Sequence, residues 1–221
     1  MTTGTKAQMM RTDGLARVRA LGAAEKWLAV LVTQRRSGAP EVAPTSTAVA
    51  ALTGLADPAV SVVNAGVLAH PLTGEPVVAF VARGATAKLV NLRAHPRATL
   101  VFRAGWEWIA VRGPVELAGP DDPLPGITDQ GAADAGASER LRVLLRDIYA
   151  AAGGSHPDLA EYDRVMAANR RTAVLLAPER FATNPPGAEH VESADQPATD
   201  QGQSTSTSPA AAHRDSGGDF R

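Results

Sequence analysis

Short runs of β-branched and other apolar residues, separated by turn formers, set the rhythm of this chain. Trp27–Thr33 is the first such run, too short for a full helix and rich in Val and Leu. Ala59–Leu68 and Val77–Ala82 follow, with the turn-dense stretch His70-Pro71-Leu72-Thr73-Gly74-Glu75-Pro76 between them, so Val67 to Val77 bracket a hairpin. Ala98–Arg103 leads through Gly105 into a long run, Trp106–Leu117, which Gly113 and Pro114 should bulge or bend. Thr172–Ala177 is the closing strand. Helical spacing appears between these runs. Asp13 caps a helix with Leu15, Val18, Leu21 and Ala24 at its period. A short helix follows Gly84, with Ala87, Leu89, Val90 and Leu92 on or near its buried side, and Pro96 ends it. Two late helices are expected, from Ser138 through Tyr149, stopped by Gly153-Gly154, and from Pro157 to Ala168.

Roughly six strands in antiparallel hairpins, one short crossing helix and helices late in the chain predict a mainly β fold with peripheral helices, a small closed or split β-barrel. Periodicity alone leaves other α+β barrels open. The folded domain is expected to span residues 13–188. Within it, 34–58 reads as an inserted loop with Pro40, Pro44 and Pro58, either a flap or a stretch holding a short strand near Glu41–Ala43. Residues 1–12 are expected to be disordered. So is the polar tail 189–221, where Ser, Thr, Gln, Ala and Gly leave too little apolar surface to offset ordering.

Composition narrows the chemistry. The 221 residues carry 22 Lys and Arg against 23 Asp and Glu, a formal net charge of -1, which argues against electrostatic capture of nucleic acid or an anionic membrane. The absence of cysteine removes disulfides, thiolate nucleophiles and zinc–sulfur sites and suits a reducing cytoplasm. No apolar run approaches the ~20 residues of a membrane span, and the N-terminus lacks a signal-peptide core. The expected location is the cytoplasm. The five histidines are scattered, none at metal-ligand spacing with acids, so no metal site is expected. Walker, GxGxxG and Gly-x-Ser-x-Gly motifs are missing.

The stretch Phe80–Leu100 carries the candidate chemistry. A strand feeds Arg83-Gly84, and a helix then starts with Thr86 and Lys88 in its first turns. Open N–H groups and the helix dipole favour an anion there, and Arg83 and Lys88 add charge-assisted donors. A merely solvated, positively charged helix end fits the same residues.

The run Lys88-Leu-Val-Asn-Leu-Arg-Ala-His-Pro-Arg-Ala-Thr-Leu100 resembles the AK-x-x-NLR-x-x-PRAT signature of the pyridoxamine-phosphate-oxidase-like, FMN-binding split barrels. More narrowly, it is similar to the actinobacterial branch that uses the deazaflavin coenzyme F420. Further stretches match in order: Val60–Val67, His70–Val81, Gly105–Trp108, Arg112-Gly113, Asp121–Pro123, Ile148-Tyr149, Gly153–His156, Tyr162–Met166, Arg170–Thr172, Pro178–Arg180 and Asn184-Pro185. The likeness covers residues 27–186 without 34–57. It implies a homodimer with a cofactor groove at the interface. There Arg83, Thr86, Lys88 and Asn91 meet the cofactor phosphate, and Val62, Val63, Asn64, Val81 and Ala82 support its ring. Many relatives carry Arg or Gly at the Thr86 position, so one phosphate contact is expected to be weaker or to come from Arg83 instead.

The implied function is an oxidoreductase, of enzyme class 1, passing hydride from reduced F420 to an electron-poor small organic acceptor. FMN in the same fold, or a non-catalytic F420 carrier, are the alternatives. No catalytic residue is identified. Trp106 and Trp108, two apart on one strand, are expected on one face, lining the substrate pocket or packing at the dimer interface, and Asn184 is expected to close over the groove. His70 reads as a loop residue rather than a catalyst, and Tyr149 and Tyr162 as packing rather than proton donors. Asp163 and Arg164 are assigned to ion pairs.

Overall fold

Alternation decides which way each strand faces, and here it builds two apolar layers from the same strands. The computed structural model describes residues 3–36, 57–128 and 135–184. Its elements are α1 (Thr3–Ala24), β1 (Leu28–Gln34), β2 (Pro58–Ala69), β3 (Pro76–Ala82), α2 (Ala87–Ala94), β4 (Arg97–Ala104), β5 (Glu107–Ala118), α3 (Ala135–Ala151), α4 (Leu159–Ala168), β6 (Thr172–Leu176) and β7 (Arg180–Thr183).

Antiparallel pairing runs β1–β2–β3–β6–β5–β4 and returns from β4 to β1, which closes a six-stranded barrel. The fold class is therefore the expected one. Leu31, Ala65, Val78, Phe80, Leu100, Phe102, Val111 and Val174 point inward and are fully buried. α1 adds Leu15, Val18 and Leu21 to this core, and α2 adds Leu89 and Leu92. The residues in between point outward. Val77, Ala79, Ala118, Ala173 and Leu175 meet Leu144, Leu145 and Ile148 of α3 in a second apolar layer.

β2 pairs with β1 along Pro58–Asn64 and with β3 only along Ala65–Ala69. β3 continues through Val81 and Ala82 against β6. The barrel wall therefore parts between the first half of β2 and the end of β3. β5 is shared differently. Its first half pairs with β4, while its other edge passes from β7 (Ile109–Arg112) to β6 (Val115–Ala118). Gly113 sits at the changeover, where a Cβ would lie 1.7 Å from the Ala177 carbonyl oxygen. No other residue fits there, and instead of the expected bulge the ladder with β4 runs in unbroken register through Gly113 and Pro114.

Several expectations change. Residues 3–12 belong to α1 rather than to a disordered end. Lys6, Ala7, Gln8, Met9, Met10 and Arg11 are good helix formers with no proline among them. β7 makes a seventh strand that the short run after Pro178 did not announce. Val90 and Ala87 face solvent while Leu89 and Leu92 are buried, because an eight-residue helix crossing a barrel has only a narrow stripe to bury. The 34–58 insertion and the 189–221 tail fall, but for 34–36 and 57–58, outside the described residues.

Ion pairs tie the helices on. Asp163 of α4 takes Arg146 through Nε at 2.8 Å and Arg142 at 3.0 Å, and these guanidiniums hold its carboxyl below the usual aspartate range. Arg164 pairs with Glu161. Asp122, buried, receives Arg93 of α2 bidentately at 2.6 and 2.8 Å and the Thr172 hydroxyl at 3.1 Å.

Candidate functional site

β3 hands over to α2 through a tight turn, and the sequence there explains its shape. The Gly84 N–H donates to the Asn169 carbonyl at 3.2 Å, and a Cβ on Gly84 would stand 2.8 Å from the Arg170 carbonyl oxygen. The turn thus lies directly on the α4–β6 connection. Ala85 adopts φ 58, a left-handed conformation that costs an L-residue about 1–2 kcal/mol. Thr86 is the N-cap of α2 by backbone geometry, yet its hydroxyl donates back to the Arg83 carbonyl at 2.9 Å and leaves the helix without a side-chain cap. The first-turn amides keep the partial positive charge of a helix start. Among the described residues the side chains of Arg83 and Lys88 have no hydrogen bond or ion pair. Two uncompensated cations and an uncapped helix start form a donor set suited to a phosphate.

Two other residues assigned to the phosphate do different work. The Thr86 hydroxyl is spent within the turn. Asn91 is buried as a brace: its Nδ2 donates to Thr33 Oγ1 at 3.2 Å and its Oδ1 accepts from the Arg36 N–H at 3.2 Å. It holds α2 to the end of β1, a role that no local spacing announces.

The ring-facing set divides by strand alternation. Val62, Asn64 and Val81 point out of the barrel, whereas Val63 and Ala82 are packed in the inner core and offer a ligand only backbone. Val62 is 61% exposed and Val60 66%; with Leu28 of β1 they leave a bare apolar face on β1 and β2.

Beside Asn64 and Val81 opens a cleft of about 410 Å³, also lined by Lys26, Tyr149, Gly153 and Arg171. Its rim is strained. Lys26 and Trp27 take φ 54 and 62, and Arg170 takes φ 49. Asn64 Nδ2 donates to the Lys26 carbonyl at 3.0 Å and steadies that turn. Arg170 sits just past the C-cap of α4, where Arg170 N and Arg171 N donate to the Ala167 and Met166 carbonyls, a Schellman closure with arginine in place of the usual glycine. Arg170 then pairs with Asp121. The tyrosine hydroxyls are committed: Tyr149 to the Ser155 carbonyl and Tyr162 to that of Leu145, each at 3.1 Å. Burial pushes the Tyr162 hydroxyl up to about 12, and the two rings stack at 4.8 Å. Both act in packing.

The tryptophans do not share a strand face. Ala104 pairs with Glu107, so Gly105 and Trp106 form the two-residue turn of the β4–β5 hairpin, with Gly105 at φ 56 as a type II′ turn requires. Trp106 is 61% exposed in that turn, and Trp108 lies half-buried on β5. Asn184 ties them together, its Oδ1 accepting from Trp108 N at 3.1 Å and its Nδ2 donating to the Trp106 carbonyl at 3.3 Å. It fastens β7 to the hairpin instead of covering the cleft. His70 is buried at a turn: Nδ1 accepts from the N–H groups of Leu72 and Thr73, which leaves the proton on Nε2 to meet Glu116 at 2.8 Å. Among the described residues no cluster of three His, Cys, Asp or Glu is placed to hold a metal, and no helix is long and apolar enough to cross a membrane.

Lys26 and Arg171 are the cleft residues that the sequence did not single out. Arg171 stood inside a matched stretch without a role, and Lys26 carries no motif at all.

No family model matches this chain. No curated protein matches it significantly. Among solved structures, a pyridoxamine 5'-phosphate oxidase-related, FMN-binding protein of Nostoc punctiforme is similar over 79% of this chain and 81% of its own, at 16% identity and a TM-score of 0.43. A protein described as an F420 reductase is similar over 71% of this chain and 90% of its own, at 16% identity and a TM-score of 0.40. A heme-binding protein of Mycobacterium smegmatis is similar over 77% of this chain but only 53% of its own, at 16% identity and a TM-score of 0.43. At such values these likenesses carry no ligand and no activity over to this chain. By its own strand order, with six strands closed in a ring and parted between β2 and β3, the chain is a split barrel.

Proposed function

We propose that this protein is a flavin- or deazaflavin-dependent oxidoreductase of the pyridoxamine-phosphate-oxidase-like kind, working as a homodimer with F420 as its cofactor. The observation that carries the reading is the turn from β3 into α2. A strained Ala85, an uncapped helix start, and Arg83 and Lys88, unpaired among the described residues, converge in the stretch whose sequence resembles the family signature. Strain of this kind persists where surrounding structure enforces it and concentrates at ligand sites.

The residues divide the work. Arg83, Lys88 and the first-turn amides of α2 hold the cofactor phosphate. Val62, Asn64 and Val81 present a mostly apolar wall to its ring. A second copy, seated on the bare face of Leu28, Val60 and Val62, excludes water from the groove between subunits. The bound cofactor supplies the hydride chemistry, and the protein supplies position and a dry surface. With both hydroxyls bound to carbonyls, neither Tyr149 nor Tyr162 stands ready as an acid. The proton that completes the reduction comes from solvent. The acceptor is a small, electron-poor organic molecule.

Titration of the purified chain with F420, FMN and FAD tests this. Tightest binding of F420, weakened on the order of tenfold by Arg83→Ala, is the expected result. Binding of none of the three would sink it. FMN binding with no response to F420 would transfer the reading to an FMN enzyme, and tight F420 binding without turnover of any acceptor would make the protein a carrier.

A further inference from the structure

The register of β3 with β6 places a second cation beside the proposed phosphate turn. Val81 pairs with Ala173 and Ala82 with Thr172, so Arg83 and Arg171 are the next opposed positions at the end of the ladder. Val81 and Ala173 both belong to the outer side of the barrel, and Arg171 lines the cleft together with Val81.

Arg171 is unlike most arginines of this chain. Arg93, Arg97, Arg142, Arg146, Arg164 and Arg170 all meet carboxylates. Arg171 meets none among the described residues, where its buried Nε, like those of Arg11 and Arg17, also has no hydrogen-bond partner. A buried donor attached to a full charge is costly to leave unmade. Lys26, across the cleft, likewise has no side-chain partner among the described residues. Among the described residues no Asp or Glu lines the space, while Val81, Ile148 and Met166 give it apolar walls beside the Tyr149 and Tyr162 pair. Its volume of about 410 Å³ falls in the range of small-molecule sites. Left-handed residues stand in the rim at Lys26 itself and at Arg170, next to Arg171.

We infer that this cleft is a binding site for a small organic carboxylic acid with a flat apolar body. Its carboxylate is gripped by the guanidinium of Arg171 and by Lys26, and its body lies against Tyr149 and Met166. A planar guanidinium offers two N–H groups side by side to two carboxylate oxygens, which a lone ammonium does not. The site needs no cofactor and stands whether or not the oxidoreductase reading does. Where that reading also holds, the ligand is the acceptor, lying next to the phosphate turn.

The test is calorimetric titration of the full chain, without cofactor, using benzoate, its neutral counterpart benzamide, and inorganic phosphate. Benzoate should bind saturably, with benzamide on the order of tenfold weaker or more. Arg171→Met should weaken benzoate by a similar factor. Arg171→Lys should recover part of the loss, and Arg19→Met on the exposed side of α1 should change nothing. If Arg171→Met fails to fold, Lys26→Met and the benzoate–benzamide ratio in the unmodified chain decide the matter. Absence of saturable benzoate binding, equal binding of benzamide, or an unchanged affinity in a folded Arg171→Met protein would each overturn the inference. Displacement of benzoate by an equal concentration of phosphate would overturn the assignment of the apolar body.

Discussion

Two outer faces of one barrel, built by the same alternation, are treated in opposite ways. On β3, β6 and β5 the outward residues Val77, Ala79, Leu175 and Ala118 are sealed beneath Leu144, Leu145 and Ile148 of α3. On β1 and β2 the outward residues Leu28, Val60 and Val62 remain 47%, 66% and 61% exposed. Apolar content does not separate the faces; what differs is whether the chain itself supplies a cover. The covered face contributes to the stability of the single chain, whereas the bare one contributes only when something else sits on it. The proposed phosphate turn and the cleft lie between the two.

The comparison breaks most sharply under truncation. Ile148→Ala on the covered side should cost about 2–5 kcal/mol in denaturant unfolding. Val62→Ala on the bare side should stay within about 0.5 kcal/mol for an isolated chain. Equal losses at both would show that the faces are not as different as their exposure indicates.

A sharper probe is Val62→Asp. With the bare face as a subunit interface, sedimentation should find the unmodified chain dimeric and the variant monomeric, with little change in the unfolding of the monomer. An unmodified chain that is monomeric at high concentration removes the second copy as the cover.

The smallest effect belongs to the clamp on the covered side. Because Arg146 and Arg142 lower the Asp163 carboxyl, their contribution is complete above the ordinary aspartate value of ~3.9. It fades as pH falls through the lower folded value. Asp163→Asn should therefore destabilise by on the order of 1 kcal/mol at neutral pH, a gap that closes in acid. A gap independent of pH would assign the loss to packing.

The six ring strands were legible because each carries its own signal: a short apolar run bounded by turn formers, as in Val77–Ala82 between Pro76 and Gly84. The β2–β3 and β4–β5 hairpins were legible from their turns, but the place of β6 was not, since it inserts between β3 and β5 through contacts that no local pattern encodes. The candidate site divides the same way. Arg83 and Lys88 announced themselves by sitting at a strand-to-helix junction. Asn91 looked equivalent by spacing, yet the end of β1 claims it through Thr33 and Arg36. Val63 and Ala82 belong to strands whose alternation, once the ring is known, turns them inward. Arg171 becomes interesting only when the ladder sets it opposite Arg83 and the carboxylates that satisfy its neighbours pass it by.

Closure of the ring has a consequence for how the molecule is made. β6 is five residues long, buried throughout, and the last ring strand to leave the ribosome. Until Thr172–Leu176 emerges, β3 and β5 present raw edges and the inner core stays open to water. The nascent chain therefore spends most of its synthesis as an unfinished sheet, exposed to mispairing with any free strand nearby. A premature stop anywhere before β6 would yield a sticky fragment, not a smaller barrel.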